Sequence, residues 1–401
     1  MALPSTERDE EWLKIEGLVY QHRIFRSLAD FIGWERIEKI VRKLTVPVKR
    51  YYVRVNTLKT TREELMERLA ERGLKAYPDP LLPDAIYFEV KGPYKIPSAP
   101  KKVIVDKFAA ESVYQGADLY APGVMRGDPI RKGDEVIILS PTGKPVGYGI
   151  AKMDIHEILA KRRGLAVKVL VSVFRAPKIR ELKEYEEGLF YDQSYPAMLV
   201  SHILEPQPSE IIVDLCASPG GKATHVAQLI RNEGLILAID RSTPKVLKIK
   251  ENARRLGITN IKFLVSDSRY LHLNYPALKA DRILLDPPCS SLGVRPKIMD
   301  RKEYKDIISV MKYQQQFLEA ATRILKPGGT LVYSTCTFTV EENEAIVSLL
   351  VEKYGLKVVE QKYFLGEEGL GEKGWENLLQ RFHPDRIDTP GFFIAKLEKK
   401  A

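Results

Sequence analysis

The chain has 401 residues, enough for two or three domains, and its 44% hydrophobic and 29% charged residues are ordinary for a globular protein. No apolar run reaches about 18 residues, so we expect no transmembrane helix, and the polar, acidic segment 1–11 argues against a secretory signal and for the cytoplasm. The 63 basic and 53 acidic residues give a formal net charge of +10, which fits a nucleic-acid-binding protein and equally a basic enzyme of another kind.

The first predicted region, residues 1–91, has the pattern of a small α+β unit. Charged and apolar residues alternate at helical spacing over Trp34–Leu44, and Tyr51–Asn56 is typical of a strand with basic and polar residues on one face. A second helix is expected after Thr60 or Thr61, either of which can cap it, and Gly73 is its stop signal.

The second predicted region, residues 92–175, has short apolar runs and glycine turns. Six prolines between Pro78 and Pro100 mark its boundary with the first region. The close spacing of its runs predicts a small β-barrel with little helix, with strands at Val103–Val105, Glu135–Leu139, Pro145–Ile150 and Ala166–Val173.

A basic run crosses the end of this region. Between Lys161 and Lys183 there are eight basic residues and one acidic residue, Glu181. Such a run can hold the phosphates of a nucleic acid, although a solvated protein face has the same composition.

The third predicted region, residues 176–401, alternates apolar strands with longer amphipathic helices. This order predicts a doubly wound α/β sheet, mainly parallel, with ligands at the carboxyl ends of its strands. The predicted strands are Glu210–Leu215, Leu235–Ile239, Ile261–Val265, Arg282–Leu285 and Thr330–Tyr333, and the predicted helices are Ala223–Arg231, Pro244–Leu256 and Tyr304–Leu325.

A small-residue loop follows the first of these strands and opens a helix. Gly220 and Gly221 let the backbone approach a ligand, and the helix start favours an anionic group. The loop has neither the dinucleotide nor the P-loop spacing, so a ligand with a carboxylate fits better than one with a phosphate. A tight turn without a ligand is the alternative. Asp240, Asp267 and Asp286 follow the next three strands, where carboxylates can bond ribose hydroxyls or an adenine amino group.

Three cysteines, Cys216, Cys289 and Cys336, cannot form a fully paired disulfide framework, and no CxxC motif or Cys/His cluster predicts zinc. Cys289 and Cys336 follow the fourth and fifth strands, so both thiols can face one cleft. The alternative is that both cysteines are small, buried hydrophobic residues without a chemical role. We expect helix starts beside both thiols to lower their pKa.

Two thiols at such a cleft favour methylation of a pyrimidine at carbon 5. A thiolate that adds to carbon 6 makes carbon 5 nucleophilic, and Asp286 is placed to offset the charge that develops on the base. The residues alone leave Cys289 and Cys336 equal as nucleophiles. Methylation of an exocyclic amine is a weaker alternative, because Cys289 stands where those enzymes carry a stacking aromatic residue.

The motifs resemble the Sun (NSUN) family of S-adenosylmethionine-dependent RNA cytosine-5 methyltransferases, which have a Rossmann-like class I fold. The matching segments are 214–222, 240–241, Asp267, 286–290, 334–337 and 391–395, with 54–58 matching the family's N-terminal RNA-binding signature. The resemblance implies that Cys336 is the nucleophile, that Cys289 assists product release and that Asp286 and Lys222 are catalytic. It also implies that S-adenosylmethionine is the cofactor, without a metal, bound by Cys216, Ala217, Ser218, Pro219, Gly220, Gly221, Lys222, Asp240, Lys245, Asp267 and Asp286.

The second region is similar to a PUA domain, a small RNA-binding β-barrel, in its Gly116-Ala117 and Ala121-Pro122-Gly123 turns. A PUA module in a Sun-family enzyme resembles the archaeal and eukaryotic branch that modifies the tRNA acceptor stem near the 3′ CCA end. This implies tRNA as the partner of a monomeric enzyme that acts away from membranes. The alternatives are ribosomal RNA methylation and a non-catalytic RNA-binding scaffold. Two thiols that face one cleft argue against a scaffold.

Overall fold

A computed structural model of the chain describes residues 11–401, and segment 1–10, which carries most of the expectation about a leader, lies outside the described residues. Over residues 11–401, no helix has the length and apolar character needed to cross a membrane. The strands of this part form four sheets, of three, four, six and nine strands.

The described chain opens with an antiparallel hairpin and two helices. Their bounds are β1 (Trp12–Ile15), β2 (Leu18–Gln21), α1 (Arg26–Ile32) and α2 (Trp34–Leu44). The helix predicted at Trp34–Leu44 is confirmed, and it buries its apolar stripe, Ile37, Ile40, Val41 and Leu44, against the hairpin and α1.

A small sheet packed on one helix follows, with bounds β3 (Arg50–Val55), α3 (Arg62–Glu71), β4 (Tyr77–Pro78) and β5 (Ala85–Glu89). The Thr61 side chain accepts the backbone N–H of Glu64 and the Glu64 side chain accepts that of Thr61, so the predicted cap forms a reciprocal capping box.

The second region is a six-stranded sheet with two short helices. Its elements are β6 (Lys101–Val105), α4 (Lys107–Tyr114), β7 (Leu119–Tyr120), β8 (Val124–Gly127), β9 (Glu135–Leu139), β10 (Pro145–Ala151), α5 (Ile155–Lys161) and β11 (Leu165–Ser172), in the sheet order β7-β11-β10-β9-β6-β8. The four predicted strands are confirmed. The two helices were not expected, because eight and seven residues are too few for a helical period to stand out.

The chain then returns to the small N-terminal sheet. After α6 (Lys183–Glu186), the strand β12 (Phe190–Asp192) pairs antiparallel with β3, so that this sheet has the order β12-β3-β5-β4. The second region is therefore an insertion within the small N-terminal domain, between β5 and β12.

The remaining residues form a domain that is built around the large sheet. Its elements in chain order are α7 (Tyr195–Leu204), β13 (Ile211–Asp214), α8 (Gly221–Leu229), β14 (Leu235–Asp240), α9 (Thr243–Leu256), β15 (Ile261–Val265), α10 (Leu271–Asn274), β16 (Ala280–Leu285), β17 (Asp300–Lys302), α11 (Tyr304–Ile324), β18 (Leu325–Thr335), α12 (Glu344–Glu352), β19 (Leu356–Val358), β20 (Glu367–Glu368), β21 (Gln380–Phe382) and β22 (Phe392–Lys399). Five parallel strands run in the order β15-β14-β13-β16-β18, and β22 closes antiparallel on β18. The short β17 lies outside this sheet and pairs in parallel with β2.

The sheet is covered on both faces, which explains why its strands are nearly continuous apolar runs. Helices α7, α8 and α9 pack on one face, and α11 and α12 pack on the other. The predicted doubly wound fold is confirmed. Strand order reverses between β13 and β16, and a crevice for ligands forms at such a point, outside the carboxyl ends of the strands.

Candidate active site

The carboxyl ends of the five parallel strands meet along one edge and enclose a cleft of about 340 Å³. Asp240 ends β14, Asp267 follows β15, Asp286 follows β16 and Cys336 follows β18. The predicted site residues that line this cleft are Cys216, Ser218, Asp240, Lys245, Asp267, Asp286, Cys289 and Cys336. An adjoining cleft of about 220 Å³ adds Ala217, Pro219, Gly221 and Lys222.

The loop between β13 and α8 needs its two glycines. Gly220 has a φ of +105°, a conformation that L side chains rarely adopt, and a Cβ placed there would lie 3.1 Å from the side chain of Ile249. A Cβ at Gly221 would lie 3.1 Å from the ring of Tyr191. Gly220 therefore sets the shape of the loop where it packs against Ile249. Gly221 lies where the helix begins and lines the cleft.

The acidic side chains at the strand ends have different surroundings. Asp240 accepts the backbone N–H of Ser242 at 3.1 Å and lies 3.7 Å from the ammonium group of Lys245, which is largely exposed at the rim. The guanidinium of Arg269 binds Asp267 through two nitrogens and holds the pKa of that carboxyl below its ordinary value. Both side chains thus present carboxylate oxygens that can accept hydrogen bonds.

The donor set fits S-adenosylmethionine. The glycine loop admits a close ligand, and the first turn of α8, with its N–H groups, suits the carboxylate of the cofactor's amino-acid part. Asp240 and Asp267 offer acceptors for ribose hydroxyls and an adenine amino group. Cys216 lies against this cleft, and burial raises the pKa of its thiol well above the ordinary value, so it is a small neutral wall residue.

The structure brings the two candidate thiols into contact. The Sγ atoms of Cys289 and Cys336 lie 3.0 Å apart, and the Sγ atom of Cys336 lies 3.5 Å from the hydroxyl oxygen of Ser291. Ser291 was not predicted as a site residue. Its φ of +56° is uncommon for a residue other than glycine, and such strained backbone clusters at functional sites.

The two thiols have opposite electrostatic environments. The hydrogen bond with Cys289 lowers the pKa of Cys336. Burial and the Asp286 carboxylate act against this decrease, and Ser291 and the nearby ammonium of Lys222 add to it. The same hydrogen bond and burial raise the pKa of Cys289 well above its ordinary value, and the buried carboxylate of Glu342 adds to this increase. Cys336 is therefore the more acidic thiol of the pair and Cys289 the less acidic one.

The expected cause of thiolate formation was wrong. Neither cysteine lies beside the start of a helix, because the helices that follow them begin only at Tyr304 and Glu344. The pKa of Cys336 is lowered by neighbouring side chains instead.

Lys222 and Asp286 form an ion pair at the floor of the cleft. Burial acts to lower the pKa of Lys222, but the Asp286 carboxylate outweighs it and the pKa lies above its ordinary value. The hydroxyl of Ser334 donates to the other oxygen of Asp286 at 3.3 Å. Behind the pair, burial raises the pKa of Asp214 to about 7, so this acid adds little negative charge below neutral pH.

A buried carboxylate, Glu342, joins the two cysteine loops and was missed in the sequence. It accepts the backbone N–H of Ser290 at 2.7 Å, the hydroxyl of Thr339 at 2.8 Å and the amide of Gln314 at 3.3 Å. The loop after β16 is thereby tied to the loop after β18. A glutamate close after the Ser-Thr-Cys segment was visible in the sequence, but nothing there showed that it turns inward.

The basic run at 161–183 is partly structural. Arg162 donates to the backbone carbonyl of Pro122 at 2.7 Å, and Lys168 and Lys178 each bind Asp118 at 2.7 Å. These three side chains therefore stabilise the second region, and the phosphate-binding interpretation remains for the other members of the run.

The interpretation of segment 54–58 as RNA-binding surface is wrong for its two key polar residues. Arg54 and Asn56 are each only 1% exposed and face the large domain. The Asn56 amide donates to the backbone carbonyls of Gly188 and Leu256, at 2.8 Å each. Alternation along a strand predicts an outward face, but here that face is covered by a second domain.

A buried group of Asp84, His202 and His225 lies at the same domain interface and was also missed. The Nε2 atoms of His202 and His225 lie 2.9 and 2.7 Å from different oxygens of Asp84. These are metal-ligating residue types, and their ligand atoms lie within 4.8 Å of one another. Each carboxylate oxygen of Asp84 thus has a ring nitrogen as partner, whereas the Nδ1 atom of His225 is buried without a hydrogen-bond partner among the described residues.

The fold and the cleft define a class I methyltransferase of the Rossmann-like type, with a glycine loop at the strand reversal and acids after successive strands. The family described as 16S rRNA methyltransferase RsmB/F matches residues 201–398. A PUA domain matches residues 101–172, and a ferredoxin-like domain of RsmF/B-like methyltransferases matches residues 27–95.

The chain is similar to named relatives over nearly its whole length. A tRNA (cytosine(72)-C(5))-methyltransferase of Pyrococcus horikoshii is 47% identical over 92% of this chain and 94% of its own. Human tRNA (cytosine(72)-C(5))-methyltransferase NSUN6 is 33% identical over 97% and 96%. The crystal structure of NSun6 from Pyrococcus horikoshii with SFG, an analogue of S-adenosylmethionine, superposes with a TM-score of 0.89 at 45% identity, covering 97% of this chain and all of that one.

The chain therefore belongs to the Sun (NSUN) family of S-adenosylmethionine-dependent RNA cytosine-5 methyltransferases and carries an inserted PUA domain. The predicted family, fold and cofactor are confirmed.

Proposed function

We propose that the chain methylates carbon 5 of cytosine 72 in the acceptor stem of tRNA, with Cys336 as the nucleophile. The observation that supports the chemistry is the pair of thiols 3.0 Å apart, of which Cys336 has the lowered pKa, beside the Lys222–Asp286 ion pair. The full-length similarity to two tRNA (cytosine(72)-C(5))-methyltransferases supports the position on the RNA.

In the first step, the Cys336 thiolate forms a bond to carbon 6 of the cytosine. Electron density moves toward ring nitrogen 3, which takes a proton from the Lys222–Asp286 pair, and carbon 5 becomes nucleophilic. S-adenosylmethionine, when bound, supplies an electrophilic methyl group for transfer to carbon 5. Asp286 holds the base in place, since its side-chain oxygen accepts a hydrogen bond from the cytosine amino group.

In the second step, Cys289 takes the proton from carbon 5. The foremost cause of its raised pKa is the hydrogen bond to Cys336. That cause disappears once the Cys336 sulfur is bonded to carbon, so the Cys289 thiol becomes more acidic, releases its own proton to solvent and then acts as the thiolate base. Loss of the proton breaks the bond between sulfur and carbon 6, returns the extra proton from nitrogen 3 to the ion pair and restores the aromatic ring.

Exposed aromatic and apolar side chains of the second region support the proposal that it binds a single-stranded RNA end. Phe108, Tyr120 and Met125 are 75%, 55% and 55% exposed. The Gly123 carbonyl accepts the backbone N–H of Asp106 at 2.8 Å, which holds this turn against the start of α4 and places Phe108 close to it. Exposed apolar and aromatic side chains beside basic ones suit the unpaired bases of a CCA end.

Mapping 5-methylcytosine in a tRNA transcript after incubation with the chain and S-adenosylmethionine tests the proposal. We expect methylation at cytosine 72, none in a transcript with uridine there, and a large loss when the CCA end is removed. Methylation only of a ribosomal RNA fragment, or at another tRNA cytosine, would contradict it. A monomeric, cytoplasmic and metal-free enzyme stays a prediction.

A further inference from the structure

Arg54 lies on β3 of the small N-terminal domain, yet its guanidinium contacts the start of α8 in the methyltransferase domain. It donates to the backbone carbonyl of Gly221 at 2.6 Å and, through the same nitrogen, to the side-chain oxygen of Gln193 at 2.6 Å. Its other terminal nitrogen donates to the hydroxyl of Thr224 at 3.0 Å. A side chain buried in this way has no route to RNA.

These contacts reach both glycines of the cofactor loop. The Thr224 hydroxyl, which accepts from Arg54, donates in turn to the backbone carbonyl of Gly220 at 2.7 Å. Arg54 therefore holds Gly221 directly and Gly220 through one hydroxyl. Five N–H donors in a rigid plane suit this task better than the single ammonium of lysine.

Arg54 also supports the wall of the cleft. Its guanidinium carbon lies 5.1 Å from the centre of the Tyr191 ring, and Tyr191, Gln193 and Gly221 line one cleft together with Lys222. Burial lowers the pKa of Arg54 to about 10, so it stays protonated at neutral pH and keeps all of its donors.

Two further contacts fasten α8 to the N-terminal domain along its length. Asp84 binds the ring of His225 at 2.7 Å, and the backbone carbonyl of Val55 accepts the Gln228 amide at 2.9 Å. With Arg54, these contacts cover the helix from its first turn to its third. Helix α8, whose first turn faces the cofactor cleft, is thus held in place by the small N-terminal domain.

We propose that Arg54 is a positioning residue for the cofactor loop, so that the small N-terminal domain completes the S-adenosylmethionine site. This inference rests on the proposed function only because it takes from it which reaction the enzyme catalyses. Cofactor binding is measured without RNA, so a failure to methylate cytosine 72 and a failure of this inference are distinguishable.

The test compares Arg54→Met, Arg54→Lys and the matched control Arg50→Met, which lies on the same strand with an exposed side chain. Calorimetry with S-adenosylmethionine measures the cofactor Kd, and a gel shift measures the tRNA Kd. For Arg54→Met we expect a cofactor Kd about tenfold higher, partly restored in Arg54→Lys and unchanged in Arg50→Met. The tRNA Kd should change less than about twofold, and kcat at saturating cofactor less than about threefold.

A weaker tRNA Kd with an unchanged cofactor Kd would overturn the proposal, because Arg54 would then act on RNA. Thr224→Val covers the case in which Arg54→Met fails to fold, since it keeps the side-chain volume and removes only the hydroxyl between Arg54 and Gly220. It should raise the cofactor Kd about threefold or more, and an unchanged cofactor Kd in this variant would equally refute the proposal.

Discussion

Replacing Cys289 by alanine should trap the enzyme on its RNA and also change the pH dependence of the attack. Cys289 is the proposed base for the carbon 5 proton, and its Sγ atom lies 3.0 Å from that of Cys336, to which it can donate a hydrogen bond. A positioned general base contributes about 10²- to 10⁴-fold to a rate, so release of product should slow by a factor in this range.

The loss of the hydrogen bond has a separate effect on the first step. A hydrogen bond to a charged group contributes roughly 1.5–3 kcal/mol, and about 1.4 kcal/mol corresponds to one pKa unit. Without the donor, the Cys336 thiolate is less stable and its pKa rises. The acid limb of the rate of adduct formation should therefore move to higher pH.

Adduct formation can be followed as a slowly migrating protein–RNA band on denaturing gels, sampled over time between about pH 6 and pH 9. Cys289→Ser is the matched variant, because it keeps a hydroxyl donor and lacks the thiol, so the band should persist with a smaller pH shift. The double variant Cys289→Ala/Cys336→Ala should give no band. Normal turnover of Cys289→Ala without a band would refute the role of Cys289 in release, and a band with an unshifted acid limb would refute the hydrogen-bond argument.

Three further predictions concern single residues. Cys336→Ala should abolish methyl transfer while the cofactor Kd, measured by calorimetry, stays within about twofold; residual turnover would contradict its role. Glu342→Gln replaces an acceptor of several hydrogen bonds by a group that is half donor, so the free energy of unfolding should fall by about 1–3 kcal/mol in a denaturant titration, and an unchanged midpoint would exclude a role for Glu342 in joining the loops. Burial lowers the pKa of His225 to about 3 from an ordinary 6.5, so the unfolded chain binds a proton that the native chain does not. Stability from this group is present above pH 6.5 and falls by at most about 1.4 kcal/mol per unit between pH 6.5 and 3. His225→Gln should flatten that part of the stability curve, and an equal slope would contradict the assignment.

The large domain was predictable because its signals are local and repeated. Strands such as Ile261–Val265 are short apolar runs, and the helix from Tyr304 keeps its amphipathic period over 21 residues. Alternation of the two types is sufficient to give the sheet, and the sheet places every residue that follows a strand at the same edge. The grouping of Asp240, Asp286 and Cys336 follows from that rule alone.

The interface between the small N-terminal domain and the large domain was not predictable, because no local sequence pattern indicates it. The strand Phe190–Asp192 has three residues and pairs with β3, from which it is separated in the chain by the whole PUA insertion. Arg54 looked like a surface residue of a strand, since alternation identifies two faces but not what covers each. A buried arginine is uncommon, and only the acceptors that surround it in the fold show why this position carries one.

The choice between the two thiols has the same origin. Each cysteine follows a strand in a polar turn, and the residues near it in sequence are alike in chemistry. The groups that make them unequal come from elsewhere in the fold: the ammonium of Lys222, at the start of α8, helps to lower the pKa of Cys336, and the carboxylate of Glu342 helps to raise that of Cys289. In the proposed mechanism the difference is also temporary, because bonding of Cys336 to the base would remove the hydrogen bond that raises the pKa of Cys289. One pair of neighbouring thiols can thus supply first a nucleophile and then a base, because Lys222 acts to lower the pKa of one sulfur and Glu342 acts to raise that of the other.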